Sequence, residues 1–205
     1  MTTYDMTTYY TYFDSPIQPL LLTSDGSALT GLFMVQHKHG PEVQAGWVQS
    51  DEAAPFAEAK RQLGAYFAGQ RTDFDLPLAA GGTAFQRRVW DELRRVPHGE
   101  TVSYGELARQ IGSPNACRAV GLANGRNPLS IIVPCHRVVG ANGRLIGYAG
   151  GMPRKEALLA LERESVTGKA PGTGKAPGTG KAPGTGSAGL LWNESRSATE
   201  EGQGT

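Results

Sequence analysis

Few residues of this chain have the type and setting to do chemistry, and Cys135 is foremost among them. It lies between Pro134 and His136, with Arg137 next, at the end of the apolar run SIIVPC. A thiol is a good nucleophile only when a base or a positive field favours the thiolate. His136 and Arg137 are residues of that kind, but neighbours in a strand point to opposite faces, so adjacency proves little. On type and spacing alone, Cys135 is either an activated nucleophile or an inert buried cysteine. The other thiol chemistries fail on spacing. A phosphatase loop needs Arg where Ala141 stands, and Cys117 and Cys135, the only cysteines, form no Cys-x-x-Cys pair. Two cysteines also build neither a disulfide framework nor a Cys-rich zinc site. His37, His39, His98 and His136 make no tight cluster with them, and His37-x-His39 reads as a solvent-exposed pair. No metal and no cofactor is expected.

Elements must position such a thiol, and the sequence is well punctuated. TYYTYF, PLLLT and LTGLFMV, within residues 8–36, read as short strands, with a turn at Asp25-Gly26. Residues 52–68 read as a helix with Phe56, Leu63 and Phe67 on one face and Gly69 as its stop. This α/β unit ends near Leu78, and Ala79–Gly82 reads as a linker. Thr83 with Gln86 forms a capping box before Phe85, Val89 and Leu93, and Pro97 ends that helix. Ser103 with Glu106 forms a second box opening SYGELARQIG, which Gly112 closes. Ser113, with Pro114 behind it, caps a third helix running to about Asn124. Two short helices joined by a tight turn fit a helix-turn-helix and fit a plain helical hairpin equally well. SIIVPC reads as a buried strand, Asn142-Gly143 as a hairpin turn between VV and LI, and Pro153 as the start of a last helix.

Charge is unevenly spread. Residues 1–82 hold 4 Lys and Arg against 9 Asp and Glu, whereas residues 83–165 hold 12 against 7. A basic middle on a chain of net charge +1 points to a polyanion partner for that segment. No apolar run reaches membrane-spanning length, and MTTYDMTTYYTY lacks the layout of a secretory signal. The expectation is therefore a reduced, cytoplasmic protein, read as a monomer, whose doubled Met-Thr-Thr-Tyr is compatible with a start at Met1 or Met6. GKAPGT occurs three times in succession from Gly168 to Thr185, a Gly- and Pro-rich tract expected to be disordered. Its Gly-Lys pairs lack the residues of a phosphate-binding loop. Leu190, Leu191 and Trp192 form a small apolar island beyond it.

The stretch PCHRVVGANGRLIGYAGG resembles the signature of the O6-alkylguanine-DNA alkyltransferases. The resemblance continues through FQRRVWDELRRVPHGETVSYGELA, RAVGLANGRNPLSIIVPCHRV and KEALLALE, covering about residues 83–162 densely. DSPIQPL and LGAYFAGQRTDFDLPL extend it loosely to the N-terminal part, while the tail lies outside it. It implies an α/β N-terminal domain, 1–79, with a ribonuclease H-like small sheet plus helix. A mostly α, winged-helix-like domain follows at 83–165, with its helix-turn-helix at about 103–125, and then a disordered tail at 166–205.

The resemblance also implies roles. Cys135 would be nucleophile and alkyl acceptor, His136 its base through a bridging water, and Glu162 the residue orienting His136. Read without the family, Glu162 is a solvated helix charge. The target lies inside a duplex, so its nucleotide must be flipped out. The family does this from the minor groove, a narrow space that suits the small residues Ala116, Ala119 and Gly121. Arg118 would fill the vacated stack. Tyr104 would push the 3′ phosphate and hydrogen-bond the flipped base, and Ser103 would contact phosphate. Asn127 would hold the turn before the nucleophile. The Val138 carbonyl, Tyr148 and Ala149 would wall the guanine pocket. The implied partner is double-stranded DNA carrying O6-alkylguanine or O4-alkylthymine, and the reaction is stoichiometric, since nothing is seen to remove a thioether from Cys135.

Departures from the family pattern are Cys117 in place of a usual Ala, Ala149 where some members have Ser, and Ser130 where some have Pro in the pocket rim. They leave the response to benzylguanine open. The competing reading is a non-catalytic damage sensor, but those relatives carry another residue, often Trp, at the position of Cys135. An adaptive-response activator would need a zinc-cysteine domain, and the N-terminal part has no cysteine.

Overall fold

Short apolar, aromatic and β-branched runs separated by tight turns shape the first part of the chain into a sheet. The computed structural model describes residues 7–35 and 38–168. His37, the start at Met1 or Met6, the GKAPGT tract beyond Gly168 and the Leu190–Trp192 island lie outside the described residues. Strands β1 (Tyr9–Phe13), β2 (Leu20–Ser24) and β3 (Leu29–Met34) pair antiparallel, and β4 (Val48–Gln49) joins β1 in parallel, giving the order β3-β2-β1-β4. The expected turn sits at Asp25, whose carboxylate accepts from the backbone N–H groups of Ser27 and Ala28. Helix α1 (Phe56–Phe67) buries Phe56, Ala59, Leu63 and Tyr66, a stripe at helical spacing. Gly69 follows at φ +69°, a left-handed conformation that glycine adopts without steric cost. The presumed linker begins anchored, because Ala79 and Pro77 exchange backbone hydrogen bonds with Leu29.

Both capping boxes form. Thr83 and Gln86 open α2 (Ala84–Leu93), and Ser103 and Glu106 open α3 (Tyr104–Gln110). Helix α2 stops at Leu93, ahead of Pro97, which disfavours helical backbone at Val96 before it. The third helix starts later than its sequence signals indicate. Helix α4 spans Cys117–Gly125 and has no side-chain cap, because Ser113–Ala116 is a turn closed by the Ala116 N–H and the Ser113 carbonyl. Pro114 occupies the second position of that turn, another place its fixed φ favours. Trp90 ties α2 to α4 through an indole hydrogen bond to the Ala123 carbonyl, 2.9 Å.

SIIVPC is buried throughout but is not a strand. Ile131 has φ +72°, a conformation rare for a β-branched residue, and the chain folds tightly on itself through Ile132 N–H to Ser130 and Val133 N–H to Leu129. Leu32 of β3 braces this knot, donating to Pro128 and accepting from Ser130. Cys135–Arg137 then form one 3₁₀ turn. Strand β6 (Val138–Val139) pairs in parallel with β5 (Val102–Ser103) rather than with Leu145-Ile146, although the Asn142-Gly143 turn is present. Helix α5 (Met152–Thr167), with Pro153 in its first turn, buries Lys155, Leu158, Leu159 and Glu162.

Candidate functional site

The site is built on the 3₁₀ turn at Cys135. Two asparagines hold it. Asn127 donates from Nδ2 to the Val133 carbonyl (2.8 Å) and accepts from the Leu129 N–H (2.9 Å), bridging the turn ahead of Cys135. Asn124, on α4, donates from Nδ2 to the carbonyl of Cys135 itself at 3.3 Å. Successive side chains of a 3₁₀ turn splay about 120° apart, unlike the opposed faces of a strand. His136 and Arg137 therefore both reach Glu162 on α5.

Glu162 is fully buried. Its Oε1 accepts from the Tyr66 hydroxyl (2.7 Å), His136 Nε2 (2.8 Å) and an Arg137 amino group (2.9 Å). Its Oε2 accepts from Arg137 Nε (2.8 Å) and the Gly99 N–H (3.1 Å). Burial by itself pushes a carboxyl pKa up, but the hydrogen bonds from His136 and Arg137 and the charge of Arg137 outweigh it and hold Glu162 well below the usual range. An ionised Glu162 can only accept, so the His136 proton sits on Nε2 and Nδ1 keeps its lone pair. Burial lowers the His136 pKa despite Glu162, which keeps the imidazole neutral. The result is a buried base in a fixed tautomer. The solvated-charge reading of Glu162 does not hold.

The thiol of Cys135 is buried, which raises its pKa; Asn127, the charge of Lys155 and Tyr148 act in the opposite direction. Lys155 is fully buried, and its pKa is lowered to about 8 by that burial. Its ammonium donates to the carbonyls of Val138 (2.6 Å), Ile146 (2.9 Å) and Gly147 (3.5 Å). The Tyr148 hydroxyl makes no hydrogen bond of good geometry, yet lies near enough to Cys135 for each to perturb the other's titration. A cavity of about 250 Å³ opens beside this side of the site, lined by Lys38, His39, Tyr104, Gly121, Asn124, Gly125 and Gly147–Ala149.

The structure thus brings Cys135, His136, Glu162, Asn127, Tyr104, Tyr148, Ala149 and Gly121 to one region. A Cβ on Gly121 would stand 3.7 Å from the Tyr104 ring, so α4 passes close to α3 there. Arg118 and Ala119 are exposed on α4, as an interface requires, and Cys117 is exposed beside them. Ser103 is engaged in its capping box, where Glu106 takes its N–H. Two further residues expected at the pocket are buried. Val138 is fully buried with its carbonyl held by Lys155, and Ser130 is buried against Leu32; neither lines the cavity. Residue-by-residue reading missed Tyr66, Asn124 and Lys155. Only Lys155 carried a local signal, since it shares the apolar stripe of Leu158, Leu159 and Glu162. Among the described residues, no group of three or more His, Cys, Asp or Glu could hold a metal ion, and no helix is long and apolar enough to cross a membrane.

A small sheet with one helix, a helix-turn-helix and a buried cysteine backed by a His-Glu pair define a DNA-repair alkyltransferase architecture. Residues 8–80 match the model of the 6-O-methylguanine DNA methyltransferase ribonuclease-like domain, and residues 84–164 match that of the same family's DNA binding domain. The chain belongs to this family. It is 57% identical over 153 residues to a methylated-DNA–protein-cysteine methyltransferase of Mycobacterium leprae, covering 75% of this chain and 91% of that one. A relative of the same name from Methanosarcina acetivorans is 54% identical, with 75% and 97% covered. The crystal structure of Mycobacterium tuberculosis OGT in complex with DNA superposes with a TM-score of 0.71 at 53% identity, covering 77% of this chain and 94% of that one.

Proposed function

We propose that this protein repairs O6-methylguanine in double-stranded DNA by moving the alkyl group irreversibly onto Cys135, one lesion per molecule. The observation that carries this reading is the buried thiol joined in one turn to His136, with His136 Nε2 held at 2.8 Å by a buried carboxylate. Arg118 and Ala119 on α4 enter the minor groove, Arg118 takes the place of the flipped nucleotide, and Ser103 meets the backbone. Tyr104 steadies the base in the cavity beside Tyr148 and Ala149. His136 Nδ1 accepts the thiol proton through a bridging water. The sulfur then attacks the alkyl carbon in line, the S–C bond forms as the C–O6 bond breaks, and the electron pair and a proton end on the released guanine. General-base assistance of this kind is worth about 10²–10⁴-fold. A thioether is a poor leaving group, so the protein is spent. O4-methylthymine presents the same reacting carbon and is the second substrate of this reading.

In this reading residues 1–79 brace the site, 83–165 carry the reaction, and 166–205 are dispensable. The two free cysteines suit a reducing compartment such as the cytoplasm. Intact-protein mass after incubation with a duplex bearing one O6-methylguanine tests the reading. Wild type gains one methylene on the Cys135 peptide, Cys135→Ser gains none, and a chain cut after Thr167 reacts as wild type. Tight binding without a mass gain would instead mark a damage sensor.

A further inference from the structure

The sheet of the N-terminal part has two faces, and only one is spent on the core. Leu20, Leu22, Leu32 and Met34 enter the core, so Leu21 and Phe33, which alternate with them, turn to the other side. There Tyr12, Leu21 and Phe33 stand in one cross-strand row, and Tyr10 stands in the next with Thr23 and Gly31. The Phe33 ring lies over Gly31, where any side chain would collide with it. Tyr10 meets Tyr12 edge-on with ring centroids 6.0 Å apart, and meets Trp47, just ahead of β4, at 6.3 Å. Tyr12 is left 44% exposed. Helix α1 covers the opposite face, where Phe67 stacks on Phe13 and Lys60 reaches Thr11. Four aromatic rings and a leucine on one outward face make an apolar patch of the kind that marks an interaction site.

The sequence carries a segment to match. Leu190, Leu191 and Trp192 are the large apolar residues after Gly168, and the alkyl-transfer reading leaves them without a role. We infer that this segment docks on the outer face of its own chain's sheet. Reach favours it. Helix α5 ends close to β1, since a Cβ on Gly69 would stand 3.4 Å from Ser165, and Phe67, two residues before Gly69, stacks on Phe13. From Gly168 to Leu190 a Gly-rich linker spans about 25 Å root-mean-square and up to about 70 Å extended, against a radius of gyration of about 15 Å for a domain of this size. Such a tether gives an effective concentration of about 1 mM, so even submillimolar affinity suffices. Charge favours it too. The linker holds Lys169, Lys175 and Lys181 and no acidic residue, while residues 1–82 hold 9 Asp and Glu against 4 Lys and Arg. Asp14, directly after β1, and Glu52, just beyond β4, are exposed, whereas Lys60 and Arg61 lie on α1 behind the sheet.

The test is fluorine NMR of the full-length chain labelled with 5-fluorotryptophan, whose three signals come from Trp47, Trp90 and Trp192. Trp47→Phe and Trp192→Phe assign them, and a free peptide of residues 187–195 gives the undocked position of Trp192. In wild type the Trp192 signal should stand away from the peptide position. Tyr12→Ser, on the patch, should return it there. The double variant Leu190→Ser, Leu191→Ser should do the same and should also move the Trp47 signal while leaving that of the buried Trp90 in place. This second variant alters no residue of the folded part, so the test survives even if Tyr12→Ser does not fold. A wild-type Trp192 signal at the peptide position overturns the inference. So does a displaced signal that Tyr12→Ser leaves unmoved in a folded protein, because the segment then sits elsewhere. A displaced signal that returns to the peptide position on dilution overturns it in favour of the tail of a second copy. Methyl transfer to Cys135 should be unchanged in the double variant, so the fate of this inference and that of the alkyl-transfer reading are separate.

Discussion

The two sides of Cys135 are built on opposite plans. Toward α5, hydrogen bonding at Glu162 is dense: Tyr66, His136, Arg137 and the Gly99 N–H all donate to one buried carboxylate, and Arg137 is tied down further by the Val96 carbonyl at 2.6 Å. Toward the cavity, Asn124 Oδ1 and the Tyr148 hydroxyl have no partner among the described residues, and between the two sides His136 Nδ1 is likewise unpaired. A buried polar atom left unpaired costs about 1–3 kcal/mol. In the mechanism proposed above, that cost falls where a substrate and a proton are received, and is avoided where a base is held still. Preorganisation and receptivity are thus divided across a single residue.

That division predicts a graded set of outcomes. Glu162→Gln attacks the saturated side at its centre and leaves the Arg137 guanidinium buried beside a neutral amide. It should destabilise the protein by about 3–5 kcal/mol in urea unfolding and slow methyl transfer by roughly 10²-fold or more. Tyr66→Phe removes one hydrogen bond to a charged acceptor and should cost about 1.5–3 kcal/mol. It should also shift the acid limb of the transfer rate upward in pH, because a less solvated Glu162 makes His136 more basic. Unchanged stability in Tyr66→Phe would break the comparison.

Acidification is the next probe. His136 in the folded state lies below its ordinary 6.5, so its contribution is present above that value and is lost as pH falls from there. Glu162 lies below its ordinary 4.5, so a second loss begins under that pH. Thermal unfolding followed from pH 8 to pH 3 should show stability declining in these two stages, and the second stage should vanish in Glu162→Gln. The smallest effect belongs to the receptive side. Tyr148→Phe deletes a hydroxyl that has no good hydrogen bond, and should change stability by no more than about 0.5 kcal/mol. The two Tyr→Phe substitutions would then differ because one hydroxyl donates to a buried carboxylate at 2.7 Å and the other makes no hydrogen bond of good geometry.

Much of this was legible in the sequence, and the reason is locality. The capping boxes at Thr83 and Ser103, the turns at Gly26 and Gly112 and the Phe56–Leu63 stripe each depend on residues a few positions apart, so their signals survive without the fold. The third helix failed because Ser113 and Pro114 favour a turn as readily as a helix start, and the packing of α3 against α4 chose the turn. SIIVPC failed because an apolar run declares burial and not backbone shape; Leu32 of β3 and Asn127 bend it into a knot. The sequence by itself determined the reagents, a cysteine, a histidine and an arginine-rich middle segment, and the resemblance assigned their roles. The tertiary structure alone decided their state. Tyr66 meets Glu162 across 96 residues, Arg137 meets it across 25 and Lys155 meets Val138 across 17. Whether a carboxylate is solvated or buried, and whether a histidine is acid or base, depends on what surrounds it in space, and only packing sets those neighbours.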